Sequence, residues 1–120
     1  MYSKDLTLPR RWQQLLEKLE NVISKKPSGL DAVLFLIGVQ ELGKGNQLFT
    51  KEEKQDIMHI AVCKLLSMVG YYQLEGTDED GWPHWELISP LPRLSLPEQE
   101  KLLKGLAIDY FIEEYGWVFD

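Results

Sequence analysis

The chain of 120 residues has one cysteine, Cys63, and two histidines, His59 and His84. A lone cysteine cannot form an intrachain disulfide, so the core has to hold by packing alone. Long apolar runs are missing as well. The most apolar stretch, Ala32 to Val39, is eight residues long, whereas a membrane-spanning helix needs about 20. Residues 1–14 carry charges with no apolar signal core behind them. These absences point to a cytoplasmic protein with no membrane partner. There is also no glycine-rich phosphate loop, no nucleophile turn and no dinucleotide fingerprint. An enzyme is therefore not the expected reading, and no cofactor is expected.

Positive charge is scarce in the second half. Formal net charge is −6; residues 1–28 hold six bases against three acids, and residues 71–120 hold three bases against eleven acids. So acidic a half repels phosphate backbones, which argues against nucleic acid as a partner. The hydrophobic fraction of 44% and charged fraction of 27% are those of an ordinary globular protein. A chain this long buries roughly two-thirds of its unfolded surface, so a single domain over residues 1–120 is expected.

What is present reads mainly as helix. Near Thr7-Leu8-Pro9 a proline fits a first turn, and Trp12, Leu15, Leu16, Leu19, Val22 and Ile23 recur on one face until Lys25-Lys26-Pro27 ends the helix. Leu30 to Leu42 follows, with Ser28 placed to cap it and Asp31 in its first turn. Apolar on nearly every side, this second helix is expected at the centre of the domain or in an oligomer interface. Thr50-Lys51-Glu52-Glu53 is a capping box that opens a third helix, which Gly70 ends. Ser95-Leu96-Pro97-Glu98 is another, opening the last helix. The tail Trp117-Val118-Phe119 is too apolar to hang free and is expected to pack back on the body.

Between the third and fourth helices the period changes to two. Tyr71 to Glu75 and Trp82 to Ile88 flank the turn-forming residues Gly76 to Gly81, which predicts a β-hairpin over about residues 71–88. Pro83 places the second strand at an edge. The expected fold is mainly α, four helices with one β-hairpin, a pattern also classed as α+β. Two helices, a third and then a hairpin is also the order of a winged helix-turn-helix protein, which residues 10–88 resemble. The segment connecting the second and third helices exceeds the short turn of that motif, and Lys51 to Asp56 carries three acids against two lysines. The hairpin tip is acidic where a phosphate-touching wing is basic. Tyr71-Tyr72-Gln73-Leu74, the segment Asp78 to Trp85, and Leu91-Pro92 resemble a group of small uncharacterised bacterial proteins, a resemblance that implies no activity.

Two sets of residues are candidate sites. The hairpin tip combines Asp78, Glu79 and Asp80 with Trp82 and His84. It fails as a calcium loop, because aligning Gly81 to the required glycine leaves Gly76 and Leu87 at ligand positions. Strand alternation sends Trp85 and Leu87 to one face; the expected reading is that both tryptophans clamp the hairpin to the helices, and the alternative, if Trp85 faces the core, is a more exposed Trp82 serving as an interaction anchor. On the third helix, Asp56, His59 and Cys63 form a polar stripe, and His59 and Cys63 have the spacing of two metal ligands or a thiol and its base. With no second cysteine to complete a site, a structural cysteine is the simpler reading. The carboxylate pairs Asp109 with Glu113 and Glu52 with Asp56, and Glu41 beside Gln40, are expected on solvent faces. The expected function is a non-enzymatic protein-interaction or self-associating domain. The alternatives are an acidic, inhibitor-like binder of a basic partner, or a small metal or thiol enzyme using His59 and Cys63.

Overall fold

Helix boundaries follow from local chemistry. The computed structural model describes residues 6–45 and 47–120, so the expectations drawn from residues 1–5 and Asn46 lie outside it. The order of elements is α1 (Leu8–Ile23), α2 (Leu30–Leu42), α3 (Lys51–Ser67), β1 (Tyr72–Thr77), β2 (Pro83–Leu87) and α4 (Leu96–Tyr115). This is the mainly α fold with one hairpin that the periodicity predicts. Both capping boxes form. Thr50 Oγ1 accepts from the Glu53 N–H at 3.1 Å while the Glu53 carboxylate accepts from the Thr50 N–H at 2.8 Å. Ser95 and Glu98 repeat the arrangement, so each helix start gains two satisfied N–H groups. Two helix ends differ from expectation. α1 stops at Ile23, where Ser24 turns left-handed and its N–H reaches the Glu20 carbonyl. α2 begins at Leu30, which gives the flanking position to Gly29 and leaves Ser28 outside it.

The chain's contacts divide into two compact units: residues up to 30 together with those from 94 onward, and residues 31–93. In the first, α1 packs on α4. Trp12, Leu15, Leu16 and Leu19 are buried, but Val22 and Ile23, expected on the same stripe, are exposed in the last turn. Lys104 lies 5.3 Å from the Trp12 ring centroid. The apolar tail does fold back: Arg10 donates twice to the Asp120 carbonyl, Gln14 accepts the Asp120 N–H, and Lys18 sits over both Trp117 and Phe119.

In the second unit α2 meets α3 at Gly38, where a Cβ would lie 2.6 Å from Ile57 Cγ2. Leu42, Ile57 and Ile60 form its buried cluster, with Phe35, Val39, Phe49 and Trp82 packed against it. The hairpin is antiparallel, pairing Tyr72 with Leu87, Gln73 with Glu86 and Leu74 with Trp85, and it carries a bulge between Leu74 and Gly76. Glu75 is the extra residue, unpaired between Leu74 and Gly76; such an insertion increases local twist, and Gly76 beside it lies at φ 151°. Among the described residues no helix is long and apolar enough to cross a membrane.

Candidate functional site

The hairpin tip is built around a single carboxylate. Asp78 Oδ1 accepts from the Asp80 N–H at 2.9 Å and the Trp82 N–H at 3.0 Å, and Oδ2 lies 3.0 Å from His84 Nε2. An aspartate that bonds to the backbone two residues on organises its own turn. The His84 bond, then the backbone donors, hold the Asp78 carboxyl below its usual range. Glu79 and Asp80 are exposed at the tip. Both Asp78 oxygens are therefore engaged inside the turn, and the tip is a folded device before it is a binding one.

Trp82 is half-buried against the Leu42, Ile57 and Ile60 cluster, with the Lys44 ammonium 5.9 Å from its ring centroid. The physical reason is the Asp78 turn. β2 begins at Pro83, so Trp82 lies outside the strand's alternation, and its N–H is drawn back to Asp78. Trp85 is also half-buried. Trp82 thus ties the hairpin to the α2–α3 cluster.

Leucines supply what the tryptophans do not. Tyr72 and Leu74 on β1 and Trp85 and Leu87 on β2 share one face of the hairpin, since paired residues project together and residues two apart project alike. α3 packs near this hairpin, yet Leu74 and Leu87 remain 52% and 49% exposed. A cleft of about 460 Å³ is lined by Glu41 of α2, Lys64 and Ser67 of α3, and Tyr72, Leu74 and Trp85 of the hairpin. Ser67 Oγ already donates to the Lys64 carbonyl at 2.6 Å, which turns the hydroxyl toward the backbone. The Trp85 indole N–H is buried and meets no acceptor among the described residues.

On α3, His59 Nε2 lies 3.5 Å from Cys63 Sγ, so the predicted pair does meet. Its chemistry is muted. Cys63 is buried, and burial pushes its thiol up to about 11, whereas a nucleophilic cysteine needs a lowered value. His59 and Asp56 are exposed. Among the described residues no three His, Cys, Asp or Glu side chains come together as metal ligands. Burial raises the Asp109 carboxyl, Arg11 pulls it back and Glu113 adds to the rise; neither acid lines the cleft.

No family model, curated protein or solved structure matches the chain. Function has to be argued from the residues. The sequence points to the Asp78 turn but not to Leu74 and Leu87, because alternation tells which face a residue occupies and not how much of that face is covered.

Proposed function

We propose that this chain is a non-enzymatic protein-interaction domain whose contact element is the hairpin. The observation that supports it is the pair Leu74 and Leu87, half exposed on the apolar face of a two-stranded sheet. Leucines left open on a sheet face are costly in water and favour a covering partner. The other motive for association, the all-round apolar α2, has lost its force. Val33, Leu34, Ile37, Gly38 and Leu42 are buried and Ala32, Phe35, Leu36 and Val39 half-buried within one chain, which leaves no open apolar face on that helix. The thiol or metal enzyme is disfavoured by the buried, proton-holding Cys63.

A photo-crosslinking residue at position 87, compared with one at the exposed Glu17 of α1, tests the reading in cells. Expected is one saturable adduct from position 87, identified by mass spectrometry, competed by unmodified protein and not by a Leu74→Ser/Leu87→Ser variant. Equal adducts from both positions, or none from position 87, would remove it. An adduct with a second copy of the chain would identify self-association.

A further inference from the structure

We infer that the outer edge of β2 takes an extended, basic segment of a partner protein as a third strand. This rests on the hairpin's being the contact element and says what it contacts. The direction of the free backbone groups follows from the ladder. The Ile88 N–H donates to the Tyr71 carbonyl at 2.9 Å. In an antiparallel pair, hydrogen-bonded and non-hydrogen-bonded pairs alternate. With Gln73 opposite Glu86 as the next bonded pair, Tyr72 with Leu87 and Leu74 with Trp85 are the non-bonded ones. The N–H and C=O groups of Trp85 and Leu87 therefore point away from β1.

Nothing in the ladder meets them, since the sheet has two strands among the described residues. α3 packs more on β1 than on β2, and Glu86 and Leu87 of β2 and the following Ile88 are exposed. Pro83 has no N–H to offer, which limits pairing to the stretch from Trp85 onward. An edge of this kind is a template for strand addition, in which main-chain bonds give affinity and alternate side chains give specificity.

Charge selects the occupant. From Tyr71 to Pro92 the chain holds Glu75, Asp78, Glu79, Asp80 and Glu86 and no lysine or arginine. A strand laid along β2 sets one row of side chains beside Trp85 and Leu87 and the other beside His84 and Glu86. Apolar residues alternating with lysine or arginine match both rows. A second copy of the hairpin does not, because like charges brought opposite one another across a ladder are destabilising.

The test uses the full chain and a ten-residue peptide alternating lysine with valine, with a glutamate–valine peptide as control. Binding is followed by fluorescence anisotropy, and the site by amide hydrogen exchange. Expected is saturable binding of the lysine peptide alone, with exchange at Trp85 and Leu87 slowed. Glu86→Lys, at an exposed position, should weaken it about tenfold. Leu87→Pro should abolish it, because it removes an outward donor while sparing the ladder. The inference is overturned if the lysine peptide fails to bind, binds Glu86→Lys equally well, or leaves exchange at Trp85 and Leu87 unchanged. In each of those cases a saturable cross-link from position 87 would still leave the interaction reading standing.

Discussion

Gly38 of α2 faces the backbone of Ile57 in α3 so closely that a Cβ on the glycine would lie 2.6 Å from Ile57 Cγ2 and nearer still to the Ile57 carbonyl oxygen. A carbonyl oxygen cannot rotate away as a side chain can. The contact therefore sets how near the two helices approach, and with it the floor of the cluster on which Trp82 rests.

Gly38→Ala should accordingly destabilise by about 1–3 kcal/mol, as overpacked cores do, although alanine is the better helix former. At Gly105, in α4, a Cβ would meet none of the described residues within 4 Å, so Gly105→Ala should stabilise by about 1 kcal/mol. Urea denaturation of the two variants reads the opposite signs. Equal shifts in one direction would show that helix propensity, not the Ile57 contact, dominates.

Trp85 holds a buried indole N–H that meets no acceptor among the described residues. Leaving such a donor unmet costs about 1–3 kcal/mol, so Trp85→Phe, which keeps a ring in place, should be neutral or stabilising. Trp85→Ala should destabilise by about 2 kcal/mol through lost packing. Thermal melts of the two variants separate the donor from the ring.

The Asp78 turn should loosen in acid. The carboxyl is held below its usual value, first by His84 and then by the Trp82 and Asp80 N–H groups. Its folded value lies under its unfolded one, so its stabilisation is complete above the unfolded value and disappears as pH falls through the folded one. Protection of the Asp80 and Trp82 amides, measured against the unstructured exchange rate at the same pH, should fall below about pH 4 in the native chain, and Asp78→Ala should show that lower protection already at neutral pH. A native tip insensitive to acid would contradict the turn's dependence on this carboxylate.

Cys63 should stay unreactive toward thiol reagents in the folded chain at pH 8 and react when the chain is denatured. Its thiol is raised from 9.0 to about 11 by burial. Raised in the fold, the group stabilises fully below the unfolded value, and that contribution is lost as pH rises between the two values. His59→Ala should leave this inertness intact. Rapid labelling of native protein at pH 8 would instead point to an activated thiol.

The elements and several of their ends follow from local sequence. Thr50 with Glu53 and Ser95 with Glu98 mark helix starts because their hydrogen bonds are local. The hairpin was legible for the same reason: a period of two around Gly76 to Gly81 needs no distant partner. Coverage was not legible. Trp82 packs inward because Asp78 captures its N–H and the α2–α3 cluster receives its ring. Leu87 stays open although it alternates with Trp85. Val22 and Ile23 keep the helical spacing of buried neighbours and still face water. Periodicity assigns a side chain to a face, but only the tertiary structure brings another element to cover it.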